Sequence, residues 1–329
     1  MFVVTFGLVL PGSGSATRPP DQLLLTDSRG RVAAIDVTTG RVRLLGRGWE
    51  ATWSPTGRRI AFTRGDLFVI ASDGSGARRL TRDDLVQHGA VWSPDGTRIA
   101  LLQQHPGTGS LASPPRDDVA VVDLGTDRVR QLTHDASGKI RLSWSPGGAK
   151  LVYEVSRGPA NLSLASIDAD TGLATEPESV RPYPIWSPSS RRLAFVVIEN
   201  ERASLTIAAA DGAAARVVFR GARDVGVDGV TWSPNGRFLA FSYGGWSRSR
   251  RRLEVIDTRT GRVRSLSGVM NVDSSPSWSA DSMRLAFERY EPRARRYAVA
   301  IVDRRNGRVH VLARSKQPLG SPQWRPRAH

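Results

Sequence analysis

The 329-residue chain contains no cysteine. Disulfides, thiolate zinc sites, iron–sulfur clusters and cysteine nucleophiles are therefore excluded. Aromatic residues are scarce, at 7%. Lysine is nearly absent: of the 47 basic residues only Lys139, Lys150 and Lys316 are lysine. No run of about 18 apolar residues occurs, so no segment reads as a membrane-spanning helix. No stretch carries a convincing helical period either. With 40% apolar and 24% charged residues the composition is that of a soluble globular protein.

What is abundant is arginine. The net charge is +16 and the pI about 11.3. Such a charge favours anionic partners. It equally fits a general preference for arginine over lysine, with most guanidinium groups solvating the surface, and the sequence leaves both readings open.

Residues 2–10 form a short apolar run, and Pro11 and a Gly/Ser stretch to Ala16 follow. This has the size of a secretory apolar region and ends in small residues, but lacks a positive leader. Residues 1–20 are therefore expected to be a signal peptide or a disordered segment. Export to the periplasm, the envelope or the medium is favoured over the cytoplasm.

Tryptophan carries the organisation. Trp53-Ser54-Pro55, Trp92-Ser93-Pro94, Trp144-Ser145-Pro146, Trp186-Ser187-Pro188 and Trp232-Ser233-Pro234 match directly, and Trp278-Ser279-Ala280 and Trp324-Arg325-Pro326 are altered copies. The spacings are 39, 52, 42, 46, 46 and 46 residues, the length of a propeller blade. After each of the first six tryptophans comes a tight turn such as Pro94-Asp95-Gly96. Apolar pairs two apart follow, as in Ile99 and Leu101 or Leu239 and Phe241. Residues two apart share one face of a strand. A second series of Asp-led turns, including Asp36 to Gly40, Asp123 to Gly125, Asp168 to Gly172, Asp211-Gly212, Asp257 to Gly261 and Asp303 to Gly307, marks a further hairpin in each unit. Their regular position assigns these aspartates to turn formation rather than catalysis.

Each unit thus reads as four antiparallel strands, A (ending at Trp) to D. The expected fold is all-β: a seven-bladed propeller over residues 21–329, closed by the C-terminal strand pairing with the N-terminal three. Closure removes the unpaired edge of an open array.

Trp-Ser-Pro-Asp-Gly-x-x-Ile-Ala-Phe, best seen in Trp92–Leu101 and Trp53–Phe62, resembles the repeat of the TolB family over about residues 21–326. That resemblance implies a periplasmic propeller that binds proteins within an envelope complex. The chain departs from the family in having seven units instead of six, and no separate α/β domain is expected from residues 1–20. The repeat also resembles the propeller of prolyl-oligopeptidase-like enzymes, without their hydrolase domain.

Binding is expected on the face bearing the longer D–A and B–C loops. Two adjacent B–C loops are strongly basic: Arg248, Arg250, Arg251 and Arg252 beside Trp246, and Arg293, Arg295 and Arg296 beside Tyr290 and Tyr297. Arginine among aromatics suits phosphate or carboxylate recognition. No nucleic-acid-binding signature accompanies them. Glu50, Asp84, Asp135, Glu178, Asp228 and Asp273 precede the A strands and would ring the channel mouth, where Ca²⁺ or a cationic group would fit. The nearest approach to a nucleophile elbow, Gly245-Trp246-Ser247-Arg248-Ser249, fails. The five histidines show no paired metal spacing; His88 and His134 form the one pair of neighbouring loops. The expected function is a monomeric, non-enzymatic binding scaffold for a protein or an anionic envelope polymer. The alternative is a hydrolase or lyase with a cation-assisted site at the channel mouth.

Overall fold

The computed structural model describes residues 21–105, 116–135, 137–156, 162–175, 185–209, 213–245, 250–268 and 271–326. These residues are all-β, built from four-stranded antiparallel sheets that follow one another along the chain. One 3₁₀ turn, Pro292–Ala294, is the helical element among them.

One unit shows the construction. Strand Val86–Trp92 pairs antiparallel with Arg98–His105, which pairs with Arg116–Asp123, which pairs with Val129–Gln131. Two-residue parallel contacts, Arg202 with Val225 and Arg251 with Val272, join neighbouring units. The C-terminal strand Gln323–Trp324 pairs with Gln22–Thr26, giving a sheet whose order runs from the last strand through the first three.

The repeated tripeptide has a physical reason at each position. The serine Oγ accepts the N–H of the residue five further on, at Ser54, Ser93, Ser145, Ser187, Ser233 and Ser279. Where Asp95, Asn235 or Asp281 follows, the same hydroxyl donates to it. The turn then needs a left-handed residue, supplied by Gly57, Gly96, Gly148 and Gly236 at φ between 65° and 73°. Ser190 and Ser282 stand there at φ 62° and 60°, a conformation in which a side chain is strained.

The tryptophans tie neighbouring sheets together. Four indole Nε1 groups donate to the carbonyl just before the preceding tryptophan, Trp92 to Thr52, Trp144 to Val91, Trp232 to Ile185 and Trp278 to Thr231, whereas those of Trp186 and Trp324 have no partner among the described residues. Trp53 donates likewise to Gln323, next to Trp324. Arginines add a second set of ties to backbone carbonyls of the following sheet. Arg98 reaches Gly148, Arg192 reaches Gly236, Arg78 reaches Leu124 and Arg216 reaches Thr258. Arg325 reaches Gly57 in the same way. Several of these guanidinium groups also lie over the tryptophan, as Arg98 does on Trp144 and Arg192 on Trp232, both 4.9 Å from the ring centre. The core is accordingly divided into patches between sheets, each with one tryptophan and small Ala, Val and Leu residues around it.

Candidate functional site

The innermost strands reach further toward the loop face than the sequence suggests. Glu50, Asp228 and Asp273 lie within strands Trp49–Trp53, Val225–Trp232 and Val272–Trp278, and His88 within Val86–Trp92; none of the four is a loop residue. The reason is a β-bulge. Each of these strands, and Gly138–Trp144, breaks register between the positions four and one before its tryptophan, then resumes pairing. The left-handed residue of the bulge sits three before the tryptophan: Glu50, Gly89, Arg141, Gly229 or Ser275. Bulges re-aim side chains and are common beside binding sites.

Around this end lies a cavity of about 900 Å³. Its wall includes Asp27, Trp49, Glu50, His88, Arg141 and Gln323. His88 Nε2 is 2.8 Å from Asp117 Oδ1. The hydrogen bond to Asp117, together with the charges of Asp117 and Glu50, holds the imidazole above its ordinary value of 6.5 against the opposing effect of burial.

The acids before the innermost strands do not converge. Asp273 is fully buried in a two-point pair with Arg289, at 2.7 and 2.8 Å. Asp228 is paired with Arg251. Asp135 takes Lys139 at 3.0 Å and accepts from Ser137. Burial opposes its ionisation, but these donors outweigh it and hold the carboxyl down to about 2. Asp84 is exposed. Glu50 Oε2 accepts the Gly89 N–H at 2.5 Å. Glu178 lies outside the described residues. Among the described residues no three His, Asp or Glu side chains group as a metal would require. His134 is exposed, in the loop before Gly138–Trp144.

Of the two basic segments, Arg251 and Arg252 lie in strand Arg251–Asp257, and Tyr290, Arg296 and Tyr297 lie in strands Arg284–Glu291 and Arg296–Asp303, so these five are strand and not loop residues. Arg251, Tyr290 and Tyr297 line one cavity of about 350 Å³, and the two tyrosine rings are 4.9 Å apart. Pro318 lines both this cavity and the wider one, which places them side by side. Within the cluster the arginines differ. Arg251 holds Asp228, Arg252 holds Glu254 at 2.5 Å, and Arg296 holds Glu291 at 2.5 Å. Arg250, Arg293 and Arg295 are exposed and make no ion pair among the described residues. Arg250 and Arg295 are also left-handed, at φ 33° and 47°. Arg248 and Trp246 lie outside the described residues.

Two features escaped the sequence. Trp49 stands outside the repeated motif, is half exposed and borders the wide cavity. Asp118 is fully buried and gathers His105, Arg116 and Thr133, at 3.0, 3.1 and 3.0 Å, with Lys139 further off at 3.7 Å. A lysine among so few, and in a strand, was the available signal for the second.

No family model matches the chain, and no curated protein matches it. Solved structures do. TolB from Acinetobacter baumannii is 16% identical at TM-score 0.58, over 92% of this chain and 82% of its own. An oligogalacturonate lyase in complex with manganese is 17% identical at TM-score 0.63, over 90% and 85%. A Mycobacterium tuberculosis puromycin-hydrolyzing peptidase is 17% identical at TM-score 0.68, over 91% of this chain and 52% of its own, so the chain spans about half of that protein. The fold is thus a β-propeller of the TolB-like kind, shared by TolB and by enzymes. At these identities the likeness concerns the fold alone.

Proposed function

We propose that residues 21–329 form a seven-bladed propeller, closed where Gln323–Trp324 joins the first three strands, and that it works as a monomeric binding scaffold without catalysis. Its partner is a protein or an anionic polymer of the cell envelope, met by the loop face, and residues 1–20 direct export. The observation that carries the reading is the trio Arg250, Arg293 and Arg295. These exposed residues make no ion pair among the described residues and lie close in sequence to Arg251, Tyr290 and Tyr297, which line the cavity, whereas the arginines between sheets are spent on carbonyls. Paired arginines stabilise a fold; unpaired ones beside tyrosine are poised for carboxylate or phosphate.

The test is binding of poly-glutamate and polyphosphate to wild type and to the triple variant R250Q/R293Q/R295Q. Binding that weakens in the variant with a shallower salt dependence supports the reading. Equal binding by both proteins removes the arginine trio as the site, and none by either removes the anionic partner. A second reading, an enzyme acting at the channel mouth, is favoured by His88 held on buried Asp117 in the wall of the wide cavity. Such a pair suits acid–base chemistry.

A further inference from the structure

The wide cavity has one charge that the fold leaves unanswered. Of its ionisable lining side chains, Asp27 is held by Arg31 at 2.6 Å, Arg141 by Glu154 at 2.9 Å and His88, which also feels the charge of Glu50, by Asp117 at 2.8 Å. Glu50 has no ion pair among the described residues; its one hydrogen bond there is the Gly89 N–H. On a chain of net charge +16, the unneutralised charge of this mouth is negative.

Glu50 is also held in a conformation that costs energy. It sits at φ 53°, a bulge position that carries Gly89 and Gly229 at φ 64° and 62° in two sister strands and Arg141 and Ser275 at φ 56° and 54° in two others. Glycine adopts this region freely, and another residue persists there only when its surroundings compel it. The Glu50 side chain is exposed, so core packing does not call for it. Beside it stands Trp49, 50% exposed. One edge of the indole rests on Gly30, where an added Cβ would lie 3.2 Å from the ring. Trp49 also lines the cavity.

We infer that Trp49 and Glu50 form a site for an alkylammonium group. The carboxylate supplies the countercharge and a charge-assisted hydrogen bond. The indole supplies an electron-rich face that attracts a cation. A cavity of about 900 Å³ admits either a free polyamine or a lysine side chain presented by a peptide.

The experiment is calorimetric titration of the whole chain with spermidine and, separately, with N-acetylated, amidated trilysine. It is run near 0.15 M salt, where charges more than about 8 Å apart are largely screened. E50Q preserves shape, E50G relieves the left-handed strain, and W49L removes the aromatic face. At least one probe binds saturably to wild type, at least about tenfold more weakly to E50Q and E50G, and several-fold more weakly to W49L. Melting temperatures of E50Q and wild type coincide. The probe that binds identifies the source of the ammonium group. Absence of saturable binding with both probes, or equal affinity in wild type and E50Q, overturns the inference.

Discussion

Replacing Trp232 with alanine removes the side chain that joins two sheets. Trp232 is 6% exposed and packs among Val227, Leu239 and Phe241. Burying a tryptophan removes roughly 150–250 Å² from water, at most about 4–6 kcal/mol by area. Truncations of this kind cost about 3–5 kcal/mol once the cavity partly relaxes. The indole N–H also donates to Ile185 O at 3.0 Å, and a carbonyl left unpaired costs about 1–3 kcal/mol if it stays buried. W232A should therefore lose about 4 kcal/mol. W232F, which keeps a ring and loses the N–H, should lose about 1–2 kcal/mol. Trp324 supplies an internal control, because its buried Nε1 has no partner among the described residues; W324F should cost less than W232F. The assay is urea unfolding, read as a shift in midpoint at constant slope. A loss below about 1 kcal/mol in W232A, or W324F as costly as W232F, would refute the reasoning.

Gly57 and Gly96 occupy the same turn position at φ 65° and 71°, but a Cβ on Gly57 would lie 2.6 Å from Pro326 O while one on Gly96 meets nothing closer than 3.6 Å. G57A should cost at least about 1 kcal/mol more than G96A; equal unfolding midpoints would argue against the C-terminal segment closing the ring. Ser190→Gly should stabilise by about 0.5 kcal/mol, since relief of left-handed strain slightly exceeds the entropy glycine loses, and calorimetric melting checks it. Asp73, Asp123 and Asp168 are held below their ordinary value of 3.8 by Ser75, Thr126 and Thr171 respectively. A lowered carboxyl stabilises fully above its unfolded value and loses that contribution as pH falls through the folded one. The melting temperature should thus drop below about pH 4, and drop less in D123N. His88 behaves oppositely: its raised value means the contribution is full below 6.5 and is lost as pH rises through the folded value. Its imidazole resonances should titrate above 6.5 and move down in D117N; a wild-type midpoint at or below 6.5 contradicts the His88–Asp117 pairing.

The arginine excess, ambiguous as composition, divides once positions are known. Arg78, Arg98, Arg192, Arg216 and Arg325 spend their guanidinium groups on carbonyls of the next sheet. Others, such as Arg262 and Arg308, stand beside outermost strands, where charge discourages edge-to-edge pairing. Arg250, Arg293 and Arg295 make no ion pair among the described residues, and neither do other exposed arginines such as Arg47, Arg82 and Arg220.

Strand order and turn positions were legible in the sequence because they depend on local chemistry. Trp-Ser-Pro-Asp-Gly encodes a turn through a proline φ, a serine that bonds five residues on, and a left-handed glycine. The Asp-led hairpins encode themselves in the same way: Asp36, for example, accepts two backbone N–H groups and the hydroxyl of Thr39. The wall of the wide cavity was only partly legible. Glu50 was visible as an acid near a strand, but its bulge leaves no mark in composition, and its lack of a countercharge depends on where Arg31 and Arg141 find theirs. Asp228 and Asp273 belong to the same sequence series and yet are neutralised by Arg251 and Arg289. Sequence by itself determined the repeating hairpins, since each is closed by bonds within a few residues. Tertiary structure alone decided which charges survive at the surface, because pairing links residues that share no local pattern and meet only when neighbouring sheets pack.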